Sequence, residues 1–167
     1  RSTSLTLIGG DVSSEFSIFE LFVKMLRKLA GSGRRTFVFV LGNHELWNFP
    51  GLSVDEIVDK YRTVLKENGM YLLHNDLFYR NESDDMGIIP YDELIQSDNP
   101  AILEKLRCTR LVILGGLGFS GYNEEFNAND GVYRATVDRN TEIQESKKFE
   151  QLYDKLTDVL AKRSEEH

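Results

Sequence analysis

This 167-residue chain has one cysteine, three prolines and three histidines, and no apolar run near the ~18 residues of a membrane span. A single cysteine, Cys108, excludes an internal disulfide and suits a reducing compartment, so a cytoplasmic location is expected. Its plain role is a small residue ahead of a strand rather than a nucleophile. No signal-peptide pattern is visible. There is no lysine–arginine stripe either: 20 basic residues face 27 acidic ones, for a net charge of −7. Lys24, Arg27, Lys28, Arg34 and Arg35 gather near one expected helix end, where cations complement the dipole. Long nucleic acid is therefore not an expected partner. Internal repeats, low-complexity tracts and dividing linkers are absent, so residues 1–167 read as a single domain with enough chain for a sizeable core.

What is present is a pair of strand-end motifs one crossover apart. Leu5-Thr6-Leu7-Ile8 runs into Gly9-Gly10-Asp11, and Thr36-Phe37-Val38-Phe39-Val40-Leu41 runs into Gly42-Asn43-His44-Glu45. Each apolar run stops at glycine and then shows a metal-competent polar residue. The segment between them has Ile18, Phe22, Met25 or Leu26, and Leu29 at helical spacing. Ser13 or Ser14 is the expected cap, and Gly31-Ser32-Gly33 the expected stop. Strand, helix and strand make a βαβ unit with parallel, usually adjacent strands. Asp11 and Asn43-His44 would then emerge together at the carboxyl edge, where open α/β sheets bind ligands.

Further strands are expected near 70–73, 77–80 and 111–114, besides those at 5–8 and 36–41. Strand 36–41 should be buried on both faces. Ser53-Val54-Asp55-Glu56 is a capping box opening a helix that ends near Asn68-Gly69. His74-Asn75-Asp76 reads as a turn between two short strands, and 80–100 as a polar surface excursion with a short helix. Residues 101–106 read as helical. A glycine-rich loop follows at 115–121, and a long helix runs from about Asp138 to about Arg163, with Ile143, Phe149, Leu152, Leu156 and Leu160 on its apolar stripe.

Each candidate has a functional and a plain reading. The Asp11 carboxylate can bridge two divalent ions, which phosphatase-type sites hold ~3.5–4 Å apart, or simply cap the next helix. Asn43 offers a neutral carbonyl oxygen suited to a hard or borderline cation. His44 follows on the same turn, and Glu45 reads as a helix N-terminal carboxylate rather than a ligand. His74 reads as a structural or exposed turn histidine, and His167 is terminal. Gly116-Leu117-Gly118-Phe119-Ser120-Gly121 fits the dinucleotide fingerprint, but no long apolar-faced helix begins at Tyr122 and no strand with an acid follows. Trp47, Phe49, Tyr122 and Tyr133 suit a ring-binding pocket or, more commonly, a core.

Gly10-Asp11 and Gly42-Asn43-His44-Glu45 resemble two blocks of the calcineurin-like metallophosphoesterases. The family pattern is Asp-x-His, Gly-Asp-x-x-Asp, Gly-Asn-His-Asp/Glu, a lone His and Gly-His-x-His. Ser14 stands where the second block often has aspartate, and the third block matches in full. The resemblance implies an α/β/β/α sandwich with a mostly parallel inner sheet flanked by helices. It implies a metal-dependent phosphoesterase acting on a mono- or diester through two divalent ions (Mn, Fe or Zn). Asp11 would bridge the ions, Asn43 would bind one of them, and His44 would assist the leaving group. The substrate would be a small phosphorylated molecule or a phosphoprotein. No Asp-x-His precedes Leu5, and neither His74 nor His167 lies in Gly-His-x-His. The chain is therefore expected to be an internal segment, incomplete at both ends, that holds only part of the site or no metal on its own. The alternatives are a non-catalytic α/β fragment or binding module, or a dinucleotide-binding domain using Gly116–Gly121.

Overall fold

Apolar runs rich in β-branched and aromatic residues build six short strands among the residues that the computed structural model of the chain describes, which are 4–31, 35–96, 100–119 and 137–165. β1 (Ser4–Ile8) and β2 (Arg35–Phe39) pair in parallel, with Ser4 opposite Arg35 and Ile8 opposite Phe39. The Val40 amide adds a further bond to the Ile8 carbonyl at 3.0 Å, carrying the pairing up to the glycine motifs. β3 (Tyr71–Leu72) pairs in parallel on the other side of β2. The order β1-β2-β3 therefore sends three strand ends to one edge. As expected from its continuous apolar run, β2 is buried from Thr36 to Phe39.

Two helices make the crossovers. α1 (Phe16–Ala30) buries Phe19 and Val23 and ends at Gly31, whose φ of 62° suits a residue without Cβ. Its N-cap is Glu15 rather than Ser13 or Ser14. The Ser13 hydroxyl instead accepts the Glu15 amide in a local turn, and the amides of residues 11–13 are taken up elsewhere, as described below. α2 (Val54–Glu67) starts at the expected capping box: Ser53 Oγ accepts the Glu56 amide while Glu56 accepts the Ser53 amide. It ends at Asn68 and Gly69.

The remaining strands do not extend the parallel sheet but form a second sheet. β4 (Asp76–Asn81), β5 (Met86–Ile89) and β6 (Thr109–Gly115) form a separate antiparallel sheet in the order β5-β4-β6. β5 lies inside the stretch expected to be a surface excursion. Its apolar pair Ile88-Ile89 follows a tight polar turn with Asp84 at φ 64°, so a hairpin forms where composition alone suggested a loop. α3 (Tyr91–Ile95), α4 (Pro100–Arg107) and α5 (Arg139–Glu165) follow. Asp138 caps α5, its Oδ1 accepting the Thr141 amide at 2.7 Å.

Strand alternation sorts the core into three apolar clusters. Phe37, Phe39 and Leu41 pack with Phe19 and Val23 of α1 and with Ile57, Tyr61 and Leu65 of α2. From the opposite face of β2, Val38 packs with Leu73 and Phe78, flanked by Ile88 and Ile113 of the antiparallel sheet. Leu77 and Tyr79, alternating with Phe78 on β4, pack against Leu94, Ile102, Leu106 and Leu152 of α3, α4 and α5. The chain is thus a mixed α/β structure with a parallel and an antiparallel sheet. Among the described residues, no helix is long and apolar enough to cross a membrane.

Candidate functional site

The parallel register of β1 and β2 brings Asp11 and Asn43-His44 to the same edge. The two loops then come into direct contact: the His44 amide donates to Asp11 Oδ1 at 3.2 Å. This approach depends on glycine at both motifs. A Cβ on Gly42 would lie 2.1 Å from Asp11 Oδ1, and one on Gly10 would lie 2.4 Å from the Gly42 nitrogen. Gly10 and Asp11 also have φ of 87° and 54°, a left-handed pair that turns the chain sharply and leaves Asp11 exposed. Asp11 does not cap α1, which starts several residues later.

Glu45 holds the two loops together. Its side chain is fully buried, in a single 3-10 turn (His44–Leu46). Oε2 accepts the amides of Asp11 at 3.0 Å and Gly42 at 2.7 Å, and Oε1 accepts those of Val12 at 2.6 Å and Ser13 at 3.1 Å. Four backbone donors thus converge on one carboxylate, which joins the residues after β1 to those after β2. Glu45 does lie in the first turn of a short helix, as its helix N-terminal reading expects. Its role as a clamp between motifs, beyond that of a local helix-end charge, was not read from the sequence.

His44 is half-buried, and its ring stacks on Trp47 with centroids 3.7 Å apart and planes 29° from parallel. Trp47, given no particular task in the sequence, is the aromatic wall of this histidine. Tyr61 from α2 supports the turn from below, its hydroxyl donating to the Glu45 carbonyl at 3.0 Å. Burial first, then the charge of Glu45, pushes the Tyr61 phenol well above its usual range.

His74 is placed differently from the sequence expectation. It does not lie in a hairpin, because β3 and β4 belong to different sheets. It follows β3, a parallel strand beside β2, and so sits at the same edge as Asp11 and Asn43. The apolar run Met70–Leu73 stopping at a metal-competent residue is the same signal that marks the other two motifs, and only the hairpin reading of 70–79 set His74 apart from them. His74 is 8 % exposed, and Nε2 lies 3.1 Å from Oε2 of Glu145 on α5. Among the described residues, that contact does not form a hydrogen bond and neither ring nitrogen has a hydrogen-bond partner. Burial alone would push Glu145 up, but His74 and Lys148 outweigh it and bring its carboxyl down to about 2. Asp76 goes the other way: burial raises it despite the His74 amide and Arg62.

The glycine-rich loop is described as far as Phe119; Ser120, Gly121, Tyr122 and Tyr133 lie outside the described residues, as does His167. β6, which precedes that loop, is antiparallel to its neighbour β4, unlike the parallel strand that a dinucleotide fingerprint follows. Comparison of the chain with protein-family models, with curated proteins and with solved structures gave no match.

Proposed function

We propose that the chain carries part of a metal-dependent phosphoesterase site of the calcineurin-like type, hydrolysing a phosphate mono- or diester. The observation that carries this reading is the meeting of Asp11 with the Asn43-His44 turn across two parallel strand ends, held by Glu45. The helix–sheet–sheet–helix sequence of the three apolar clusters is what an α/β/β/α sandwich of this family would have, and it supports the same reading.

The donor set fits one side of a divalent-ion site. Asp11 and Asn43 offer carboxylate and carbonyl oxygens, the chemistry that Mn²⁺ and other hard or borderline ions take. The Asp11 side chain is exposed at the edge and anchored through Oδ1. Two residues do not complete a two-ion site, so this reading places the activity in a longer protein that carries the Asp-x-His and Gly-His-x-His blocks. The bound ions would neutralise phosphoryl charge and lower the pKa of water. His44, oriented by the Trp47 ring, would hydrogen-bond a phosphoryl oxygen or protonate the leaving oxygen.

Mn²⁺ titration calorimetry on this chain beside Asp11→Asn tests the ligand assignment. Binding that the substitution weakens supports it; binding that the substitution leaves unchanged counts against it. Hydrolysis of p-nitrophenyl phosphate and its bis ester by the longer protein tests the chemistry, with turnover expected to fall at least about a hundredfold in Asp11→Asn and in His44→Ala. Unchanged turnover in both would refute the site. The second reading is a non-catalytic module. It is favoured by the donor count, since Asp11 and Asn43 alone do not assemble a tight two-ion site.

A further inference from the structure

We infer a second cation site, separate in its residues from Asp11, Asn43 and His44, formed by His74, Glu145 and Asp55 and suited to Zn²⁺. It does not rest on the phosphoesterase reading. One ligand atom from each of these three residues lies within 4.8 Å of the others. They come from three separate elements: the exit of β3, the first turns of α5 and the first turn of α2. A shared ion would clasp those elements together.

The chemistry of His74 points to an ion. A buried imidazole normally satisfies its nitrogens, yet among the described residues both lack hydrogen-bond partners while Nε2 sits 3.1 Å from a carboxylate oxygen. Metal–nitrogen and metal–oxygen bonds of about 2.0–2.2 Å on a tetrahedron put neighbouring donors roughly 3.4 Å apart. The His74–Glu145 separation is therefore close to a ligand–ligand edge. Asp55 is exposed, and one of its carboxylate oxygens lies within 4.8 Å of the other two ligand atoms.

The surroundings fit as well. Asn75 Nδ2 donates to Glu145 Oε2 at 2.6 Å, the kind of outer contact that orients a metal-bound carboxylate. Lys148 holds the other oxygen, Oε1, at 2.7 Å and offsets one of the two negative charges. An open cavity of about 510 Å³, lined by Ser53, Asp55, Thr141, Gln144, Glu145 and Lys148, borders two of the three ligands and gives room for coordinating water. One imidazole with two carboxylates is a ligand set that Zn²⁺ accepts readily.

The test is Zn²⁺ titration calorimetry at pH 7 on the chain and on its Asp11→Asn variant, followed by His74→Gln, Glu145→Gln and Asp55→Asn. Urea unfolding in chelator checks that each variant folds. One equivalent is expected to bind in both the unaltered chain and Asp11→Asn. Even outer contacts to a metal ligand are worth roughly 10–100-fold, so His74→Gln should weaken binding by about a hundredfold or more. Co²⁺ in place of Zn²⁺ should give a visible absorption band that His74→Gln abolishes. If the buried variants do not fold, Asp55→Asn, altered at an exposed side chain, decides by its own loss of affinity. Absence of Zn²⁺ binding at millimolar concentration, or affinity unchanged from that of the unaltered chain in both Asp55→Asn and His74→Gln, would overturn the site. Binding lost in Asp11→Asn but kept in His74→Gln would assign the ion to the other edge motif and overturn this site alone.

Discussion

Replacing Glu45 by glutamine alters one atom and should be felt at both loops. The carboxylate accepts two amides on each oxygen, Asp11 and Gly42 on Oε2, Val12 and Ser13 on Oε1. In either amide orientation, glutamine turns an NH₂ group toward two backbone N–H donors. Two bonds are lost, and two part-buried N–H donors face another donor. Hydrogen bonds to charged groups contribute about 1.5–3 kcal/mol each, and such losses are not additive within one network, so a net cost of about 3 kcal/mol follows. With a urea m-value of about 2 kcal/mol/M, the midpoint would fall by roughly 1.5 M. Glu45→Asp keeps the charge type but withdraws the oxygens by about one methylene, stretching contacts of 2.6–3.1 Å past hydrogen-bond range. Amide exchange gives the local readout: residues 11–13 and 42 should be protected in the unaltered chain and lose protection in Glu45→Gln. A midpoint shift equivalent to under ~0.5 kcal/mol, with protection at those amides retained, would refute the clamp.

Other outcomes follow from the same geometry. Gly42→Ala drives a methyl into Asp11 Oδ1, so it should cost about 1–3 kcal/mol by urea unfolding and weaken any Mn²⁺ binding that depends on Asp11; a neutral result on both counts would mean the loops separate freely. Tyr61→Phe removes the hydroxyl bond to the Glu45 carbonyl and should cost about 1 kcal/mol at neutral pH. Because the folded state holds the Tyr61 phenol neutral above its ordinary value, that stability is full below about pH 10 and is lost as pH rises toward the folded value. The gap between the two proteins should therefore narrow above pH 10, and a constant gap from pH 8 to 11 would contradict the assignment. Trp47→Ala frees one face of the His44 ring, so the His44 ring resonances should shift toward exposed values in NMR spectra while the urea midpoint moves little.

The parts legible in sequence are those whose cause is local. The capping box at Ser53 and Glu56 and the stop at Asn68-Gly69 were readable because the residues that bond each other lie within one turn. The cap of α1 was misread, since the amides near Ser13 bond to Glu45 from another element. β5 was hidden because the polar turn before Met86 dominated the composition of its stretch. His74 was discounted because the sequence does not say whether β3 and β4 pair with each other or part into two sheets.

By itself, the sequence determined that two apolar strands would end at glycines beside Asp11 and Asn43-His44, with a helix between them, because strand and helix periods and the βαβ chirality are properties of short stretches. Tertiary structure decided how closely those ends meet, and that Glu45, rather than Asp11, ties them together. It also decided that His74 reaches the same edge and meets Glu145, far along the chain. Such contacts depend on which faces the two sheets bury against each other. That choice is made by packing across the whole core.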